Sequence, residues 1–417
     1  MTRSRIEVSR RGLFGSAAAA AALGGGAVAA VAGAADAADS GDTGGSTGAA
    51  DTVHPYEGAH QQGIVTQPQA AAAYLALDVE AADRAELRTM FQALTTASRW
   101  LTAGGTAPDA GMIATATDNG VLGGADVPAD GLTITVSVGA SLFDTRYGLA
   151  AKRPARLSTM PAFDDDLLDP AMCHGDLLIQ VCAEHRDTVN RALRILLRAT
   201  RGFLTVRWRM DGFTSPSRPD GAPRNLMGFK DGTANAAITA ARYDDLVWTH
   251  AGGAEPAWVE GGSYHVVRLI RMLVEFWDRV SVREQNTLIG RERSSGAPLT
   301  GSHETDAPVF TGPGADAIAG NAHIRLASDS GAAATTGQQM LRRGYNYDAG
   351  IDVNGNLDMG LIFTTFNQDL ERQFVAVQRR LAGEPLADYV LPYGGGYFFA
   401  LPGVRGSDDW LGREMFA

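Results

Sequence analysis

From residue 53 onward, apolar positions follow two rhythms that take turns along the chain. Residues 72–79 alternate with a period of two, which sends successive side chains to opposite faces of a strand. Residues 82–101 follow helical spacing, with Leu87, Met90, Phe91 and Leu94 on one face. Strands at 132–138 and 176–183, an amphipathic helix at 186–200 and a strand at 203–210 follow. That order is the β-α-β-β-α-β unit of a ferredoxin-like domain. The second half repeats the rhythm, with strands at 264–271, 361–366 and 397–401 and helices at 281–290 and 369–381. The halves share a pattern rather than residues. The predicted fold class is α+β, two ferredoxin-like βαββαβ domains with antiparallel sheets. A chain of about 365 residues beyond residue 52 suits two cores better than one. The Pro/Gly-rich stretch 214–223 marks the boundary, giving domains at 53–220 and 221–417.

The first 52 residues break this rhythm. Ser9-Arg10-Arg11-Gly12-Leu13-Phe14 precedes an Ala/Gly-rich run and then the small residues Ala32-Gly33-Ala34. Charged, weakly apolar and small-residue regions in that order predict a twin-arginine export signal over 1–35. The run is too short and too glycine-broken for a membrane-spanning helix, so stable membrane insertion is not expected. Residues 36–52 are almost free of bulky apolar side chains and read as a flexible linker. The expected location is extracytoplasmic: secreted, periplasmic or on the cell surface.

The formal net charge is −11, and loss of the arginine-bearing leader makes the remainder more acidic still. That balance argues against nucleic acid as a partner, since its binders present basic surface. Two cysteines, Cys173 and Cys182, are too few for a disulfide framework. They flank a predicted strand whose ends lie roughly 30 Å apart, so both are expected to be buried, reduced packing residues.

Candidate chemistry gathers in three stretches of the second half: Gly228-Phe229-Lys230-Asp231-Gly232-Thr233-Ala234-Asn235, Asn321-Ala322-His323-Ile324-Arg325, and Leu341-Arg342-Arg343-Gly344-Tyr345. They supply an acid in a glycine-rich turn, one imidazole and a permanent cation. Cleaving a peroxide at a haem iron calls for that set: a neutral imidazole on one face, and a proton carrier and a cation on the other. Zinc-type spacing, His-Glu-x-x-His or paired Cys-x-x-Cys, is absent from the sequence. The glycine clusters lack the strand-loop-helix setting of a dinucleotide fold. Without Cys-x-x-Cys-His there is no covalent haem attachment, which leaves haem b.

In order and wording these stretches resemble the dye-decolorising haem peroxidases, in particular the twin-arginine-exported branch that includes bacterial deferrochelatase/peroxidases. The resemblance runs from about Gly63 through the rest of the chain. It implies one haem b per chain, held mainly by the C-terminal domain, with His323 as the proximal iron ligand. It implies Asp231 and Arg342 as the catalytic pair, Arg343 being the alternate cation. Gly232, Thr233 and Ala234 are implied as haem-contacting, Arg342 as cofactor-facing, and Arg291 and Arg325 as propionate partners. Relatives often continue the His323 segment with Asn-Pro-Arg, where this chain has Ser328-Asp329-Ser330. The implied partners are hydrogen peroxide and a small aromatic reductant, dye, phenol or redox protein; a homo-oligomer is compatible with the sequence. Iron release from haem and non-enzymatic haem carriage are the rival activities. A carrier would need His323 but neither Asp231 nor Arg342. Six tryptophans and ten tyrosines include candidates for surface radical sites, though most are expected to be core; Trp258, Trp277, Tyr345 and Tyr347 lie near the proposed haem segments.

Overall fold

The computed structural model describes residues 52–417 except 110, 112–114, 125 and 329–336. The leader and all of the linker but its last residue lie outside the described residues. In the first half, Ala71–Val79 (β1), Arg84–Ala103 (α1), Thr133–Gly139 (β2), Leu177–Ala183 (β3), Arg186–Ala199 (α2) and Leu204–Phe213 (β4) follow the predicted order. The second half contains Ser263–Met272 (β5), Val282–Ile289 (α3), His323–Ser328 (α4), Tyr345–Ile351 (β6), Leu357–Asn367 (β7), Ala376–Leu381 (α5) and Val390–Ala400 (β8). Strand β6 was not expected. Its inner face carries Tyr345 and Tyr347, while Asp348–Ile351 is exposed, so the apolar alternation stops after two turns of the pleat. The helix expected over 369–381 opens with a wide turn, Glu371–Val375, before α5.

Local sequence explains the helix ends. Asp83 caps α1 by accepting the Ala85 and Glu86 amides, and Gly104 at φ 67° ends it. Ser281 caps α3 through the Glu284 amide, and Gly290 at φ 90° closes it in the left-handed conformation.

Each half arranges its strands identically: β2-β3-β1-β4 in the first, β6-β7-β5-β8 in the second. The two sets are one sheet. Strand β8 pairs with β2 (Phe398 opposite Gly139), β4 meets β6 at Phe213 and Asn346, and β7 pairs with β5. The ring therefore closes, which removes free edges from both units. Period-two alternation now has two buried faces. Ile134, Val136 and Val138 of β2 pack outward with Leu87 and Phe91 of α1. Thr133, Thr135 and Ser137, on the opposite face, are also fully buried. Tyr74, Leu178, Cys182, Trp208, Val267, Tyr345, Tyr347 and Phe398 form a separate inner cluster.

A long excursion between β2 and β3 ties the halves together. Asp166 makes a buried ion pair with Arg268, and Leu167 and Asp169 donate to the Pro392 and Tyr393 carbonyls. Both cysteines are free and buried, as expected. Trp258, Trp277, Tyr345 and Tyr347 are buried as well and belong to the core. His265 is also core, its Nδ1 2.9 Å from the Ser137 hydroxyl.

Candidate active site

The acid-bearing turn is built by its glycines and by Asn225. Gly228 (φ 87°) and Gly232 (φ 100°) both sit in the left-handed region. At Gly232 an added Cβ would meet nothing nearer than 3.9 Å, so the requirement there is backbone conformation rather than space. The Asn225 side chain accepts the Met227 and Phe229 amides, and the Asp231 amide donates to the Pro223 carbonyl. Phe229 turns inward against Trp277. Glu304 buckles the turn on both sides of Asp231, accepting from Lys230, Thr233 and the Ala222 amide. Burial opposes ionisation of Glu304, but these donors outweigh it and hold its carboxyl below the usual value.

Arg342 lies on the short strand Leu341–Arg342, paired with β7 through Thr365. Its Nη2 is 3.3 Å from Asp231 Oδ1, and each side chain keeps 30% exposure. Asn235 joins the two stretches. Its amide donates to the Arg342 carbonyl, and its Oδ1 accepts the Arg342 amide at 3.1 Å. Arg343 points away into the barrel, 2% exposed, so Arg342 is the arginine that faces Asp231.

His323 opens α4 and contacts neither of them. Its Nδ1 lies 2.9 and 3.1 Å from the two oxygens of Glu384, a nearly buried carboxylate. That partner fixes the tautomer with the proton on Nδ1 and leaves the Nε2 lone pair available for a metal. Arg380 braces α4 from α5, donating to the Leu326 and Ala327 carbonyls and to Gln338. The Gly383 amide, next to Glu384, donates to Asp165 of the first half at 3.0 Å.

The residues fit a haem. Among the described residues no group of three His, Cys, Asp or Glu side chains could hold a bare metal ion. A lone imidazole suits an iron that brings its remaining ligands on a macrocycle. Beside His323, Ile324 packs with Met359 and Leu361 against one apolar cluster. These three and Phe363 are only half-buried, and Met359, Leu361 and Phe363 share a face of β7. They make an accessible apolar wall of the kind a flat porphyrin covers.

Residues 61–214 match the model for the N-terminal part of Dyp-type peroxidases, and residues 222–405 that for the C-terminal part. This chain belongs to the Dyp-type peroxidase family. Deferrochelatases of Shigella flexneri and of an Escherichia coli strain are 47% and 48% identical to it over 374 residues, covering 88% of this chain and 88% of each relative. Among solved structures, a DyP-type peroxidase from Cellulomonas bogoriensis aligns with TM-score 0.78 and 37% identity, covering 88% of this chain and 99% of that one. DtpA from Streptomyces lividans aligns with TM-score 0.78 and 32% identity, covering 88% and 98%. Family members are peroxidases with haem b as cofactor.

Within this family frame, the predicted residues divide into two groups. Asp231, Gly232, Thr233 and Arg342 come together on one loop and one strand. Ala234 continues the same turn, exposed. His323 stands apart against Glu384. Arg325, expected as a propionate partner, donates to the Phe310, Ala315 and Ile318 carbonyls of its own loop. Arg291 donates to the Gly296 and Glu304 carbonyls, and burial, then the nearby Arg342 cation, lowers its pKa. Asp329 and Ser330 of the divergent run lie outside the described residues. Sequence reasoning missed Glu384, Glu304 and the clamping role of Asn235. Only Asn235 carried a signal, its place within the Asp231 motif.

Proposed function

We propose that this chain is an exported haem b peroxidase in which Asp231 and Arg342 act on hydrogen peroxide opposite His323. The observation that carries the reading is the Arg342–Asp231 pair, an acid and a permanent cation on one accessible face. When bound, haem supplies the redox-active iron against which peroxide is cleaved. His323 Nε2 is the protein's ligand to that iron, and Glu384 orients the ring by accepting the Nδ1 proton. An Asp231 carboxylate oxygen takes the proton from one peroxide oxygen and returns it to the other. The Arg342 guanidinium stabilises negative charge on the departing oxygen without titrating. Phenols, dyes or a redox protein then serve as reductants.

The test is rapid mixing of haem-loaded variants with peroxide. A positioned acid/base typically contributes roughly 10²–10⁴-fold, so Asp231→Asn is expected to slow the reaction within that range. Arg342→Leu is expected to lose on the order of 10²-fold or more. Wild-type rates in both variants, with normal haem content, would favour simple carriage.

The names of the curated relatives favour a second reading, release of iron from haem with the porphyrin left whole. Anaerobic incubation with haem distinguishes it: metal-free porphyrin accumulates under this reading and not under the first. Export rests on the Arg10-Arg11 signal. Replacing both arginines by lysine is expected to retain the precursor in the cytoplasm, scored by cell fractionation. Normal export of that variant would assign another route.

A further inference from the structure

We propose that Arg343 is a positioning residue through which the N-terminal half selects which arginine faces Asp231. The inference rests on Arg342 being the working cation. The sequence Arg342-Arg343 is degenerate in register, because neighbouring residues of an extended chain point to opposite faces. A slip of one residue would put Arg343 toward Asp231 and Arg342 into the barrel. The backbone opposes this slip, because Leu341–Arg342 pairs with β7 in the register that β6 resumes at Tyr345 opposite Ile362, and the Arg343 amide donates to the Thr364 carbonyl between them at 2.8 Å. Gly344, between the two paired stretches, is where a bulge would let the side chains of Arg342 and Arg343 exchange faces.

Arg343 adds a side-chain anchor to that ladder. Its Nε donates to the Thr66 carbonyl at 3.1 Å, Nη1 to Cys182 Sγ at 3.2 Å, and Nη2 to the Gln67 carbonyl at 3.3 Å and to Gln69 Oε1. Every one of these acceptors belongs to the first half. Gln69 is itself pinned, donating to the Gly131 carbonyl at 2.7 Å and to Thr133 Oγ1 at 3.2 Å. The guanidinium also lies 5.8 Å from the Tyr345 ring centroid. No carboxylate pairs with Arg343 among the described residues. The site is therefore a neutral cup shaped for a planar, multi-donor cation, and only this register fills it. A buried guanidinium deprived of its acceptors is strongly unfavourable, so the cup holds the strand in place and Arg342 follows.

Arg342, unlike stability, is read by an anion on the iron. Fluoride binding to the ferric haem-loaded protein is strengthened by a nearby guanidinium donor, and it is titrated spectroscopically without turnover. Arg342→Leu sets the scale, with an expected loss of roughly 10-fold or more, the range for a charged hydrogen bond. Arg343→Met is expected to approach that loss while haem content is retained. Gln69→Leu is expected to lose less, and Arg343→Lys to recover part of the affinity. In the Arg342→Leu background, Arg343→Met is expected to add nothing.

Wild-type fluoride affinity in a haem-replete Arg343→Met protein would overturn the proposal. Should that variant fail to fold, Gln69→Leu decides: unchanged affinity overturns the proposal, and a partial loss supports it. Additive losses in the double variant also overturn it. If Arg342→Leu itself leaves both fluoride affinity and the peroxide reaction unchanged, the assignment of Arg342 fails first. If Arg342→Leu is impaired and the Arg343 and Gln69 variants are not, only the positioning role fails.

Discussion

Glu384 and His323 are 61 positions apart in the chain and 2.9 Å apart in space. The carboxylate decides which imidazole nitrogen carries the proton, and so which one would meet iron under the proposed ligation. Outer partners of this kind typically change metal affinity about 10–100-fold. Glu384→Gln, which still accepts one hydrogen bond but carries no charge, is therefore expected to weaken iron ligation and shift the haem midpoint potential. His323→Ala is expected to lose most of the Soret band. Potentiometry and haem titration check both; an unmoved potential in Glu384→Gln would remove Glu384 from the site. Asp231, Arg342 and His323 were legible in the sequence as candidates because each sits in a distinctive local phrase. Glu384 was not, because a lone acid between Gly383 and Pro385 looks like any loop residue. Its meaning comes only from the packing of α4 beside α5.

The Asp231 turn is held by one carboxylate reaching across from residue 304. Burial pushes Glu304 toward its neutral form; Lys230, the Ala222 amide and Thr233 win, so its folded pKa lies below the unfolded one. A depressed carboxylate contributes stability above its unfolded pKa, near 4.3, and that contribution is lost as pH falls through the folded value. The advantage of wild type over Glu304→Gln in retaining haem is thus expected at neutral pH and should fade below about pH 4. A gap independent of pH would mean that the buckle is not electrostatic. Strand β6 shows why elements can hide in sequence. Tyr345 and Tyr347 face the barrel interior, Asn346 between them is a buried polar residue, and Asp348–Ile351 is exposed, so no sustained alternation announces it. Strands β1, β2 and β3 of the first half were visible because one face of each packs in a single buried cluster with α1 and α2.

Seen whole, the two predicted ferredoxin-like units are present, but their edges are spent on one another. Nothing in either half's pattern reveals that β8 will pair with β2, because ring closure depends on twist and on long-range pairing rather than on local period. The closed interior also imposes a pH limit. His265, fully buried and stacked 4.3 Å from the Phe366 ring, is pushed down to about 3 by burial, with the Arg343 cation adding to the effect. The unfolded chain binds that proton near pH 6.5 and the barrel refuses it. Stability is therefore expected to fall as pH drops from about 6.5 toward 3. Urea midpoints across that range, compared with His265→Phe, test this; an equal slope in the variant would place the effect elsewhere.

Strand β8 is last in chain order, and it closes the ring against β2, a strand some 250 positions earlier, at a separation that makes such pairing slow. A chain made from its N-terminus holds β2 and β5 open-edged until β8 has emerged. Glu384 lies just upstream of that strand, so His323 is synthesised well before the carboxylate that orients it. A porphyrin meeting the nascent chain would find an imidazole with no fixed tautomer on a half-built wall. Stable cofactor capture is therefore expected to follow the arrival of strand β8.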